Sequence, residues 1–112
     1  MQILNMSREL SAAEVYKLTM SPEIQCMSDN VGAEIDVQAY CLYEDGVEDD
    51  IKTILSIMDV EGKVFATNSP TFQREFMRMN DLFNQMGCDL PVIKVCCGIS
   101  KSGRDFITCG MA

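Results

Sequence analysis

The sequence predicts an α+β fold that is mainly β, in a single domain spanning residues 1–112. Several runs alternate apolar and polar residues with the period of two that is typical of strands. One longer stretch repeats large apolar side chains at helical spacing, and the segments between these runs are rich in turn residues. Apolar residues make up 47% of the chain and charged residues 23%, a balance typical of a folded globular protein. A chain of 112 residues is long enough for one hydrophobic core.

Residues 1–30 are predicted to form an N-terminal extension with short helices. Ser11 and Glu14 have the spacing of a capping box, so a helix is expected to begin there. Ser21-Pro22-Glu23 repeats the start signal and predicts a second helical piece that closes between Met27 and Asn30.

The clearest strand runs from Ala33 to Tyr43. Its alternation places Ile35 and Val37 on one face, with Tyr40 on the opposite, more polar face. The acidic run that follows, residues 44–50, is predicted to be a solvated hairpin loop, because like charges repel and Asp-Gly favours a turn.

A hairpin and a long helix are predicted next. Ile51–Met58 and Lys63–Thr67 are rich in β-branched and aliphatic residues and are separated by a turn around Gly62. Asn68-Ser69-Pro70 then supplies capping oxygens and a first-turn proline for a helix reaching Gln85. That helix carries Phe72, Phe76, Met79, Phe83 and Met86 at helical spacing.

A final hairpin completes the order. Val92–Ile99 and Arg104–Cys109 are predicted strands around the turn Lys101-Ser102-Gly103. Three strands, one long helix between strands 3 and 4, and two further strands are the element order of the OB-fold, a five-stranded, partly open antiparallel barrel. An open antiparallel sheet with the helix on one side satisfies the same order. The predicted core residues are Ile35, Val37, Leu55, Ile57, Val64, Phe72, Phe76, Phe83, Val95 and Ile107.

Charge is distributed unevenly along the chain. The net charge is −8, which argues against a protein that coats nucleic acid by overall attraction. Residues 1–61 hold three basic and thirteen acidic residues, whereas residues 62–112 hold six basic and four acidic residues. A polyanion could therefore meet a locally basic face, although the acids could equally serve only to keep the surface soluble.

The inventory of reactive side chains argues against an enzyme. The chain contains no histidine, which is the commonest general base. Its six cysteines include no Cys-x-x-Cys pair, and Cys41, Cys97 and Cys109 lie among apolar strand residues, so we expect buried free thiols without a metal or other cofactor. The carboxylates of residues 44–50 also lack the spacing of a helix-loop-helix calcium site. No stretch approaches the roughly 20 apolar residues of a membrane helix, and we expect a soluble cytoplasmic protein without membrane contact.

Binding is the better-supported class of function. Three rings, those of Tyr40, Phe65 and Phe106, are predicted on sheet faces near basic residues, and nucleotide bases stack on such rings. Alternatively, Phe65 and Phe106 pack beneath the helix or against an oligomer partner. The predicted nucleic-acid-binding residues are Tyr40, Lys63, Phe65, Lys94, Lys101, Arg104 and Phe106.

Four blocks of sequence resemble a known family. They are Leu18-Thr19-Met20-Ser21-Pro22-Glu23-Ile24, the hairpin from Ile54 to Thr67, Asn68-Ser69-Pro70-Thr71-Phe72, and Ser100-Lys101-Ser102-Gly103-Arg104-Asp105-Phe106-Ile107-Thr108-Cys109. Together they resemble the small single-stranded-DNA-binding proteins of tailed phages and integrated mobile elements, as short blocks within residues 15–109. The resemblance implies an OB-fold and protection of single strands during replication in a bacterial host cell, with replication or recombination proteins as further partners.

Two hypotheses follow. The first is a non-enzymatic single-stranded-DNA-binding protein that holds the backbone with Lys and Arg and stacks bases on rings. The second is an acidic protein-protein interaction module, such as a phage accessory protein or DNA mimic, in which the 44–50 segment occupies a basic partner. A homodimer is compatible with either hypothesis.

Overall fold

The computed structural model describes all residues from Met1 to Ala112. Seven strands are present: β1 (Gln2–Met6), β2 (Gln25–Cys26), β3 (Glu34–Val47), β4 (Asp50–Asp59), β5 (Val64–Thr67), β6 (Val92–Ile99) and β7 (Asp105–Met111). Two α-helices, α1 (Ala12–Thr19) and α2 (Pro70–Gln85), and a 3-10 helix at Met27–Asn30 complete the chain. The prediction of a mainly β, α+β fold is confirmed, but the structure has seven strands where five were predicted.

The strands form one curled sheet in the order β2-β5-β4-β3-β6-β7. Strand β1 is not part of this order and pairs with the second half of β3. All pairs are antiparallel except β2 with β5, which is parallel. The first half of β3 pairs with β6 and the second half with β1, so β3 is the central strand. The sheet therefore resembles half of a barrel, with β7 at one end and β5 with the short β2 at the other.

Both α-helices begin where their capping residues predict. The Ser11 hydroxyl accepts a bond from the Glu14 backbone N–H at 3.2 Å, and the Ser11 N–H donates to the Glu14 carboxylate at 3.0 Å. Arg8 holds the same carboxylate at 2.7 Å and lowers the pKa of Glu14 to about 2. Helix α2 is capped by Ser69, whose hydroxyl accepts a bond from the Phe72 N–H at 3.3 Å.

The N-terminal extension differs from its prediction. Residues Gln2–Met6 form a strand because they pair with β3, and their sequence alone has no clear strand periodicity. Ser21-Pro22-Glu23 starts no helix, since the chain turns there and enters β2 before the 3-10 helix. No helix of the structure is long and apolar enough to cross a membrane.

Hydrophobic side chains cover both faces of the sheet. On the inner face, α2 packs Phe72 and Phe76 against Leu55, Ile57 and other buried residues. On the outer face, Leu18 of α1 packs with Cys41, Tyr43, Met58 and Val64, flanked by Met6 and Leu10. The predicted core residues are buried apart from Phe83, which is half-buried.

The acidic segment forms the exposed hairpin that was predicted, but the two strands extend farther into it than expected. Strand β3 continues to Val47 and β4 begins at Asp50, with Glu48 in the left-handed region at φ 49°. Every residue from Asp45 to Thr53 is exposed, so this hairpin projects from the sheet with both faces in solvent. Water screens the like charges there, which removes the expected reason for the strands to end. We call residues 45–53 the acidic arm.

Candidate functional site

Tyr40 lies in the core and not on a solvated face. Its side chain is 3% exposed, and its ring meets the Phe76 ring edge-on, with centroids 5.3 Å apart. The Asn80 amide nitrogen donates a hydrogen bond to the Tyr40 hydroxyl at 3.1 Å, and burial raises the pKa of the phenol. The prediction that Tyr40 is a surface ring is therefore wrong.

A β-bulge explains this error. The register with β4 shifts between Val37 and Ala39, which inserts one extra residue into β3. Side-chain alternation reverses at that point, so Tyr40 joins Ile35 and Val37 in the inner core, while Ala39 belongs to the outer cluster. Strict alternation over 33–43 predicted the opposite arrangement.

Phe65 is also buried, for a different reason. It occupies the face of β5 opposite Val64, as predicted, but the inner cluster beneath α2 encloses it and leaves it 6% exposed. Val64 is enclosed in turn by the outer cluster. The prediction assumed that one face of the sheet is open to solvent. In the structure α2 covers the face that carries Phe65, and the N-terminal segment covers the face that carries Val64. Of the two alternatives for Phe65, packing beneath the helix is the one observed.

Phe106 is the predicted ring that contributes to the surface. It is half-buried on β7, on the face opposite the buried Ile107. Its partner in the register is Gly98 of β6, and a Cβ at Gly98 would lie 2.7 Å from the ring. The glycine therefore lets the ring lie flat across β6, which fixes its position.

The predicted basic residues do not form one cluster. Lys63 follows the β4–β5 turn and lies 3.5 Å from the Glu61 carboxylate. Lys94 is paired in register with Glu34 of β3. Lys101 and Arg104 share the turn between β6 and β7, and neither has a carboxylate within ion-pair distance. The structure thus joins only Lys101, Arg104 and Phe106 of the predicted residues, on one hairpin.

The turn that carries the two cations, residues 100–104, is well defined, and we call it the basic turn. The Ser100 N–H donates to the Arg104 carbonyl at 2.8 Å, and the Arg104 N–H donates to the Ser100 hydroxyl at 3.1 Å. Gly103 takes a positive φ of 82°, a conformation that favours glycine. The chain conformation thus holds both cationic residues at the end of the hairpin.

An open groove of about 1070 Å³ lies beside this hairpin, in the gap between the two ends of the sheet. One wall consists of residues 97–99 of β6 and 105–107 of β7. The other consists of the last two residues of β5, the two residues that follow them, and residues from the 24–31 segment. The lining is mostly apolar and includes Ile99, which is 73% exposed, and Val31, which is 48% exposed. Asp105 is its single charged residue.

The sequence reasoning did not find this groove. Ile24 and Val31 line one wall and Ile99 the other, and Ile99 is remote from the first two in the sequence. The only local signal is that Ile99 ends an apolar strand immediately before a polar turn, where an isoleucine has little to pack against. Which residues face it across the gap depends on the curl of the sheet.

All six cysteines are free, as predicted, but they do not share one environment. Cys41 and Cys109 are buried, and burial raises the pKa of the Cys109 thiol to about 12. Cys97 is exposed, against prediction, because the core ends before the last residues of β6. Cys97 and the exposed Cys26 both line the groove.

Comparison with known proteins adds no relative to this description. No protein-family model, no curated protein and no solved structure matches the chain. The interpretation of the site therefore depends on its own geometry.

Proposed function

We propose that this protein binds single-stranded DNA without catalysing a reaction, and that its β3–β7 unit is an OB-like barrel left open between β5 and β7. The strand order β5-β4-β3-β6-β7, with α2 joining β5 to β6, supports this interpretation. It is the order expected of a five-stranded Greek-key barrel in which the last closing contact is absent. The proposal extends the family resemblance of the sequence to the topology of the sheet.

The basic turn is the observation that carries the proposal. OB-folds bind oligonucleotides through the face of their second and third strands and through two loops, one of which joins the fourth and fifth strands. The corresponding loop here is the basic turn, where Lys101 and Arg104 are unpaired and Phe106 lies next to the groove. Two cations on the turn and one ring lining the adjacent groove can hold a short segment of single strand.

The other two binding elements of an OB-fold are altered in this chain. The loop between its first two strands corresponds to the tip of the acidic arm, which repels phosphates. The outer face of β4 and β5 is covered by α1 and the segment around Met6. Binding is therefore expected to be weak, confined to a few nucleotides and centred on the basic turn.

The salt dependence provides a quantitative expectation. Two neutralised phosphates give a slope of about −1.4 for the logarithm of affinity against the logarithm of salt, using the factor for single strands. One base stacked on Phe106 contributes about 1 to 3 kcal/mol. The net charge of −8 reduces the affinity further.

Fluorescence anisotropy with labelled oligo-dT tests the proposal. Lys101→Glu combined with Arg104→Glu is expected to weaken binding at least about tenfold, because two attractive charges become repulsive. Arg74→Glu combined with Arg78→Glu changes the net charge equally on an exposed face of α2 and is the matched control. No binding at tens of micromolar protein in low salt, or an equal loss in both double variants, would rule out this site.

The acidic arm favours a second candidate function, the docking of a basic protein such as a replication or recombination factor. The arm carries Asp45, Glu48, Asp49 and Asp50 against Lys52, and none of these groups forms an ion pair. Val47 at 78% and Ile51 at 57% exposure add apolar contact surface. Neutralising the four acids should abolish capture of such a partner, whereas under the first proposal it leaves oligo-dT binding unchanged or stronger.

A further inference from the structure

Strand β7 has a free edge. The hydrogen bonds at the two ends of the β6–β7 hairpin show which β7 residues bond to β6 and which point their backbone groups outward. The Ser100 N–H bonds to the Arg104 carbonyl, and the Ala112 N–H bonds to the Val92 carbonyl at 3.1 Å. Because bonded and non-bonded pairs alternate along an antiparallel ladder without register shifts, Phe106, Thr108 and Gly110 are the β7 residues that bond to β6. Backbone N–H and C=O groups of Asp105, Ile107, Cys109 and Met111 therefore point away from β6.

Part of this edge opens into the groove. Asp105 and Ile107 line the groove, whereas Cys109 lies farther along β7, in the inner core beneath α2. No strand pairs with β7 on this side. The edge also lacks the usual protection against pairing, since β7 contains no proline, lysine or bulge. Two residues with outward backbone groups can exchange four hydrogen bonds with an added strand.

The walls of the groove suit alternating apolar side chains. Ile99 and Val31 are exposed large aliphatic residues, and the rest of the lining is uncharged except for Asp105. In an added strand every second side chain would face this lining, because successive residues of a strand point to opposite faces. Backbone bonding then provides affinity, and the apolar contacts provide selectivity.

The basic turn next to the groove determines what the added strand must carry. Lys101 and Arg104 have no ionic partner and belong to the turn that joins the two lining strands. We propose that the groove binds an extended peptide segment of another protein, which adds a strand to β7 and places acidic side chains against the basic turn. This site goes beyond the proposed binding of DNA and does not require it.

A second copy of the chain satisfies these features less well. Pairing β7 with β7 of another copy along its full length places the Asp105 side chain opposite Met111, away from Lys101 and Arg104. Asp105 is the single acidic residue of β7, so no other side chain of that strand could meet the basic turn. Two chains of net charge −8 would also have to approach each other.

The test begins with a random dodecapeptide display library selected on the full-length protein. The enriched peptides are expected to combine acidic residues with alternating apolar residues. Amide hydrogen exchange by NMR should show protection of Asp105 and Ile107 when peptide is bound. Methylating a peptide nitrogen that faces β7 should abolish binding, and methylating the next nitrogen should not.

Variants distinguish binding at this site from non-specific binding. Lys101→Glu with Arg104→Glu should weaken peptide binding at least about tenfold, and Ile99→Glu should weaken it through the apolar wall. Arg74→Glu with Arg78→Glu should have no effect. Selection of no peptide with a Kd below about 100 µM, or protection of another surface, would overturn the proposal. So would concentration-dependent protection of Ile107 in the protein alone, which would assign the edge to a second copy. If oligo-dT fails to bind while peptides protect β7, the proposed function fails and this inference stands.

Discussion

The buried pair Tyr40 and Asn80 allows the placement of the Tyr40 ring to be tested by stability measurements. Substituting Tyr40→Phe keeps the ring and removes the hydroxyl that accepts the Asn80 hydrogen bond at 3.1 Å. Asn80 is 2% exposed, and its amide oxygen has no hydrogen-bond partner. The substitution would therefore leave the whole amide unpaired inside the core.

The expected cost follows from that desolvated amide. An unsatisfied buried donor costs about 1 to 3 kcal/mol, so Tyr40→Phe should lower the free energy of unfolding by that amount. Asn80→Ala leaves the hydroxyl unpaired and opens a small cavity, with a similar cost. The double variant has no unpaired polar group, so its loss should be smaller than the sum of the single losses by about 1 to 2 kcal/mol.

Urea denaturation followed by far-UV circular dichroism measures the free energy of unfolding of the original protein, the two single variants and the double variant, which together form a double-mutant cycle. A change within about 0.5 kcal/mol for Tyr40→Phe, together with additive losses in the double variant, would refute the buried placement of Tyr40. The ring would then be free at the surface, and the stacking role predicted from the sequence would regain its basis. A matched measurement on Tyr16→Phe, whose side chain is 52% exposed, shows how much a hydroxyl matters outside the core.

Three further predictions concern packing, the acidic arm and the thiols. Phe76→Ala should cost about 3 to 5 kcal/mol in urea unfolding, since Phe76 is fully buried between α2 and the sheet, and a loss under about 1 kcal/mol would contradict that placement. Gly46→Ala should speed amide exchange throughout the acidic arm while global stability changes little, because φ is +136° and an added Cβ would overlap the Asp50 carbonyl oxygen; unchanged exchange in the arm would argue against this turn geometry. Cys109 should react with iodoacetamide more slowly than the exposed Cys97 from pH 7 to 9, because burial raises the pKa of Cys109 to about 12, and mass spectrometry of the labelled protein measures both rates. Equal labelling rates for Cys97 and Cys109 would be inconsistent with the burial of Cys109. Because the pKa of Cys109 is higher in the folded protein, the protonated thiol contributes fully to stability below pH 9, and this contribution is lost as the pH rises through about 12.

The local patterns of the sequence determined the elements themselves. Helix α2 begins at the predicted capping serine and ends at Gln85, because its phenylalanines repeat with the helical period and Pro70 suits the first turn. The capping box of Ser11 and Glu14 and the two predicted hairpins at β4–β5 and β6–β7 also formed as expected. Each of these features depends on residues close together in the chain.

The candidate site was decided by contacts between distant residues. One extra residue between Val37 and Ala39 directs the Tyr40 side chain into the core. No local sequence pattern predicts this bulge, because the strand that defines it lies about 20 residues farther along the chain. Residues 2–20 covered the outer face of the sheet, which removed the solvated face on which the stacking prediction depended. Lys101, Arg104 and Phe106 remained together because one tight hairpin holds them.

The groove and the free edge of β7 show the same division between sequence and tertiary structure. Alternation along β7 predicted a strand, but whether a strand ends a sheet depends on how far the sheet curls and on which strands reach its edge. Here the curl stops before β5, with the short β2 on its edge, meets β7, and this leaves a mostly apolar groove next to the basic turn. Periodicity thus determined where strands and helices form, because it reflects side-chain direction along the backbone. The exposure of each face and edge was decided only by tertiary packing, because solvent is excluded by residues remote in sequence.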